Sequence, residues 1–157
     1  MAYSIPTIAN LKAQLIEKIS ALDCIKTRGR DYFSLDDYGP QIDLATMPTF
    51  GVAYAGASKI ENEASSTDKG SASAMLHSLY FDVAVAVEYT GGEGQLSVPV
   101  ATDVLNNIRR EVYGFRGIGS RPWMFLSESP FKYLGDNKVY YIQHWKIDVP
   151  LIGTSTN

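Results

Sequence analysis

Ile8, Leu11, Leu15, Ile19 and Leu22 recur three or four positions apart, which places them on one face of a helix. Lys12, Gln14, Glu17 and Lys18 fall largely on the other faces. Ser4 or Thr7 can cap the start, and Pro6 is tolerated in a first turn. A short strand is expected over residues 24–27. Residues 29–47 are polar and rich in turn formers, which predicts a long, mobile surface connection. Pro48 then opens residues 50–55, an apolar run with the brevity of a buried strand, weakened by Gly51 and bounded by Gly56. Residues 58–74 are low in hydrophobicity and rich in Ser, Ala and charge, which predicts a second mobile loop or a projecting arm.

The second half is more regular. Leu79, Phe81, Val83, Val85, Val87 and Tyr89 occupy every second position, while Ser78, Tyr80, Asp82, Ala84, Ala86 and Glu88 between them are smaller and mixed. Period two with β-branched and aromatic residues marks a strand. The segment TGGEGQ ends it. Ser97 can cap a helix with Ala101, Val104, Leu105, Ile108 and Val112 on one face, and Gly114 stands where a helix commonly stops. After GFRGIGSRP, residues 123–126 and the alternating Val139, Tyr141, Gln143, Trp145, Ile147 and Val149 read as two further strands. LGDNK between them carries turn chemistry, so an antiparallel hairpin is predicted. The tail 153–157 is expected to fray.

These elements predict one α+β domain over residues 1–157, a mostly antiparallel sheet with both helices packed on one face. The length suffices for a substantial core, and 45% hydrophobic against 20% charged residues is ordinary globular usage. Fourteen Lys+Arg against seventeen Asp+Glu leave a charge of -3, too mild to imply a polyanionic partner, so no sequence-specific nucleic-acid binding is expected. Cys24 is the only cysteine, which excludes an intrachain disulfide. The stretch MAYSIPTIANLKAQ lacks a basic segment followed by an apolar run, and no apolar run approaches spanning length. Synthesis in a cytoplasm and no membrane partner are therefore expected.

A search for chemistry yields little. His77 and His144 each lie near a strand without a second His or a Cys at metal-ligand spacing, so they read as polar residues at a strand edge or on an outer sheet face. A Cys24–His nucleophile pair is disfavoured because Asp23 is adjacent, and a carboxylate raises a thiol pKa. Gly91, Gly92 and Gly94 stand between strand and helix, but no Gly-Lys-Ser/Thr follows and Glu93 would repel an anion. Asp36, Asp37, Asp43, Glu61 and Glu63 read as solvated carboxylates. No catalytic, cofactor or metal residue is expected, and the chain reads as an assembly part, not an enzyme.

The basic and aromatic residues point to contacts. Arg28 and Arg30 follow the predicted first strand, Arg109 and Arg110 lie in the last turns of the second helix, and Arg116 and Arg121 follow it. A helix C-terminus favours cations through its dipole alone. Arg and aromatic residues are also enriched at protein–protein interfaces, and Trp123 is close by in sequence. Tyr140 and Ile142 alternate with Tyr141 and Trp145, so one face of the last strand is expected to meet a neighbour. Arg28, Arg30, Arg109, Arg110, Arg116, Arg121, Trp123 and Tyr140 are the expected subunit or partner contacts.

Several stretches together resemble a known family: CIKTRGRDY with LDD after it, MPTFGVAYAG, the predicted strand over residues 80–89, the helix VATDVLNNIRREVYGF and the closing PFKYLGDNKVYYIQHWKIDV. The chain resembles the tail-terminator proteins of long-tailed bacteriophages, especially the Mu-like branch. In that family a proline opens an apolar strand ending in Ala-Gly or a similar pair, a later helix ends in an aromatic or histidine followed by glycine and an aromatic, and a final strand alternates aromatic and aliphatic residues. Pro48, Gly56, residues 113–115 and the last strand occupy those places. The loop at 58–73 is longer than the family pattern, and Gly-Phe stands where Gly-Trp is usual. The resemblance implies a virion protein that forms a ring, typically hexameric, at the head-proximal end of the tail tube. Its implied partners are further copies of itself, the tail tube protein and neck or head connector proteins. The alternatives are another neck or head-completion connector, or a small ligand-binding or enzymatic α+β domain.

Overall fold

The computed structural model describes residues 5–32, 47–60, 74–88, 97–118, 121–135 and 138–152. Helix α1 runs Ile8–Ser20 and is capped by Thr7, whose hydroxyl accepts from Asn10 N–H at 3.0 Å. It buries Leu11, Leu15, Ile16 and Ile19 and leaves Ile8 at its exposed start. No strand forms at residues 24–27. The chain turns instead, with Ile25 N–H bonded to Leu22 C=O and Lys26 N–H to Pro48 C=O. The first strand, β1, is Arg30–Tyr32, within the stretch expected to be loop. Gly29 admits it: a Cβ there would fall 2.1 Å from the Phe50 ring.

β2 (Thr49–Lys59), β3 (Ala74–Glu88), β4 (Met124–Gly135) and β5 (Lys138–Ile152) complete a five-stranded sheet in the order β1-β2-β3-β5-β4. Only the β1–β2 pair is parallel. β3 and β5 pair along their full lengths, from Ala74↔Ile152 to Glu88↔Lys138, and form the sheet's centre. β4 and β5 make the expected antiparallel hairpin. Several strands are longer than their patterns suggested, because β2 runs on to Lys59 and β3 starts at Ala74.

Helix α2 runs Ser97–Val112, so Ser97 is its first residue and not the cap before it. It buries Val104, Leu105, Ile108 and Val112. Both helices pack on the sheet face that carries Leu79, Phe81, Val83, Val85, Trp145 and Ile147. This is the α+β arrangement that the alternation predicts.

The opposite face of the sheet divides in two. Toward β1, Tyr32, Ala53, Ala84, Ala86, Tyr140 and Ile142 form a second buried cluster with Met47 against it. Away from it the face is polar: His144 Nδ1 lies 2.5 Å from Asp82 Oδ1, and Ser78 donates to Asp148 at 2.7 Å. The expectation that Tyr140 and Ile142 face outward is therefore corrected. Ala86 and Ala84 stand directly across from them in register, and these small side chains leave room for the large ones to pack down.

Candidate subunit-contact surface

The surface begins at the end of α2. Arg109 and Arg110 occupy its last turn, where the dipole favours cations. Tyr113 follows four residues after Arg109 and three after Arg110, which puts all three on adjoining parts of one helix face. Gly114 then takes φ +79, left-handed backbone that ends the helix. Its N–H bonds to Trp123 C=O at 2.9 Å, and Trp123 N–H returns to Phe115 C=O at 3.0 Å. That pairing closes the loop carrying Arg116 and Ile118 and delivers the chain into β4, the edge strand.

The register shift between Phe125 and Ser127 lets Phe125 and Glu128, three residues apart, share the α2 side, opposite Trp145 and Gln143 of β5. Phe125 packs edge-on against Trp145, with ring centroids 5.4 Å apart, and the Arg109 guanidinium sits 5.8 Å over its ring. Arg109 also donates to Glu128 at 3.3 Å. Glu128 accepts a second bond, 2.9 Å, from the amide of fully buried Gln143. The same amide nitrogen donates to Leu105 C=O at 3.1 Å, and its oxygen accepts from the Trp145 indole N–H at 3.1 Å. A buried amide costs stability unless its polar atoms are bonded, and here both are. The network fixes Glu128, which fixes Arg109.

Between α2 and β4 lies an open groove of about 350 Å³ lined by Arg109, Arg110, Tyr113 and Phe125. Four of the five exposed large apolar side chains among the described residues lie around it in sequence: Tyr113 (66% exposed), Ile118 (48%), Leu126 (45%) and Met124 (37%). Exposed apolar side chains gathered in a patch mark contact surfaces, and of these four Tyr113 lines the groove itself. Among the described residues, no carboxylate or other acceptor partners Arg110. The β4 edge is also a poor template for strand addition, because its register shifts between Phe125/Ser127, Pro130/Lys132 and Tyr133/Gly135, and Pro130 lacks an N–H. A neighbour would meet this edge through side chains.

The structure separates the residues expected to make contacts. Arg109, Arg110, Arg116 and Arg121 lie on or beside the groove's elements, and Arg110, Arg116 and Arg121 are exposed. Arg30 is on β1, at the other edge of the sheet. Arg28 bonds Glu17 of α1 and holds its carboxyl below the usual range, first by the hydrogen bond and then by charge. Trp123 and Tyr140, at 0% and 1% exposure, lie inside the subunit and so are not on its surface. Trp123 packs edge-on against Phe81, with centroids 5.3 Å apart. Tyr113, Phe125, Glu128 and Gln143 were not singled out by sequence. The i, i+4 spacing of Arg109 and Tyr113 was the available signal for one of them.

Among the described residues no group of three or more His, Cys, Asp or Glu side chains could hold a metal. His144 stands on the outer sheet face, whereas His77 follows the register of Leu79 and Phe81 on the helix side. Cys24 is half-buried against the main core. Gly91, Gly92, Gly94, Asp36, Asp37, Asp43, Glu61 and Glu63 lie outside the described residues. No described helix is long and apolar enough to cross a membrane.

No family model and no curated protein matches the chain. Solved structures do. One chain from a structure described as the virion of a native gene transfer agent (GTA) particle superposes with TM-score 0.56 over 95% of this chain and 99% of its own, at 15% identity. The two chains share a fold. The likeness spans essentially the whole of both, so it concerns the complete arrangement of sheet and helices and not a common fragment.

Proposed function

We propose that this chain is a structural virion protein that assembles into a ring, expected to be hexameric, at the head-proximal end of a phage tail tube. There it ends tube polymerisation and offers the surface that joins the tail to the neck or head. The reading makes it an assembly part whose partners are its own copies, the tail tube protein and neck or head connectors, and not an enzyme. The observation that carries it is the end-to-end fold likeness to a chain of a virion particle. The distribution of exposed apolar side chains supports it. A head-to-tail ring needs two different patches per subunit, and the β4 edge supplies one that is apolar, arginine-bearing and distinct from the β1 edge.

Electron microscopy of particles assembled without this chain tests the proposal. Overlong tails are the expected result. Normal tails beside unattached heads would instead identify a neck or head-completion connector, and intact infectious particles would refute both.

A further inference from the structure

The sheet's two sides are guarded differently against a further strand. β4 shifts register three times and carries Pro130. On the other side, β1 accompanies β2 only from Gly51 to Ala53. Past the register shift between Tyr54 and Gly56, β2 runs on to Lys59 with β3 on one side and no described strand on the other. Ala57, Ser58 and Lys59 are exposed.

The register decides which main-chain groups this stretch offers. Ile60 N–H donates to Leu76 C=O at 3.3 Å, one step past the Lys59↔His77 pair, so residues 60 and 76 face each other as a hydrogen-bonded pair. In an antiparallel ladder such pairs alternate with pairs whose N–H and C=O point away from the partner strand. Ser58 is therefore bonded to β3, while the N–H and C=O of both Ala57 and Lys59 point out from the sheet. The bulge, with Gly56 at φ +119, lies before this stretch and not within it. Ser58 is also tied to the Tyr80 hydroxyl at 2.8 Å, and β3 behind it is paired with β5 along its full length, so the edge is firmly backed.

Exposed, outward-pointing donors and acceptors template a further strand unless proline, charge or broken register guards them. Here the guard is Lys59 alone, which has no acid among the described residues. The described strands of a second copy do not fit this edge, since β1 has three residues and β4 is broken by its register shifts and Pro130.

We propose that the β2 edge at Ala57–Lys59 takes an extended segment of a different protein, which adds to the sheet as a strand and sets an acid against Lys59. The proposal rests on the virion reading above for its setting and goes beyond the contacts between copies of the chain.

Amide hydrogen exchange of the full-length chain, free and in purified particles, tests it. The Ala57 and Lys59 amides should exchange at least about a hundredfold more slowly in particles than in the free chain. Ala57→Pro removes one outward N–H without touching the β3 ladder, and proline is tolerated where the N–H faces solvent. This variant should keep the wild-type urea midpoint and the wild-type mass in sedimentation velocity. Its incorporation into particles should fall at least about tenfold, whereas Ala57→Val, which keeps the N–H, should incorporate like wild type. Wild-type incorporation of Ala57→Pro, or unprotected Ala57 and Lys59 amides in particles, overturns the proposal and leaves the ring reading standing. A loss of self-association in Ala57→Pro would make the occupant a second copy and also overturn it. If Ala57→Pro does not fold, exchange in the wild-type chain decides. A wild-type chain absent from particles overturns both readings.

Discussion

At the β1 edge Arg28 is bonded to Glu17, and Asp31 lies 2.8 Å from Lys12. At the β4 edge Arg109 has Glu128, but Arg110 has no acid among the described residues, and exposed Tyr113 lines the groove with it. Both edges carry arginine, so arginine by itself does not distinguish them. Matched surface charge is a solvated finish worth little to stability and offers little to a partner. Unmatched charge beside exposed apolar surface is what a neighbour could bury.

The largest expected effect comes from within the β4 region, where Trp123 and Tyr113 stand ten residues apart with opposite roles. Trp123→Ala should lower the unfolding free energy by about 3–5 kcal/mol, because the indole is fully buried against Phe81 and its removal opens a cavity. Tyr113→Ala should change monomer stability by no more than about 0.5 kcal/mol. Urea titration of both variants checks the pair, and equal losses would mean that the two aromatics are not divided between core and surface. Next comes Glu128→Ala, which strands a buried Gln143 N–H and releases Arg109. A loss of about 1–3 kcal/mol is expected, again by urea titration.

The smallest effect belongs to the β1 edge. Glu17 is held below its ordinary pKa by Arg28, so whatever the pair contributes is present above the unfolded carboxylate pKa and lost as pH falls through the lower folded value. Both side chains are well exposed, so the contribution is small. Glu17→Gln should leave Tm nearly unchanged at pH 7, and the remaining difference should vanish under more acidic conditions. A large drop in Tm at pH 7 would show that the β1 pair is structural and that the two edges differ for another reason.

The sheet's centre, the hairpin and both helices are legible in the sequence because each is long enough to repeat its period several times. β1 is not, since three residues show no period and their pairing with β2 is fixed by tertiary register. The fate of Tyr140 depends on Ala86 standing opposite, a fact of strand pairing that no local pattern contains. The candidate contact region was legible as a stretch rich in Arg and aromatics. Which aromatic faces outward was not, because the backbone pairing of Gly114 and Phe115 with Trp123 turns the indole inward and leaves Tyr113 outside. Gln143 alternates with its apolar neighbours like any core residue, and only the placement of Leu105, Glu128 and Trp145 around it shows that its polar atoms are used.

Native mass spectrometry of the full-length chain, alone and with tail tubes, addresses the ring most directly. One closed oligomer at a fixed whole multiple of the 17.3 kDa chain, a hexamer, is expected, formed alone or on the tubes. A chain that remains a monomer in both conditions would contradict it.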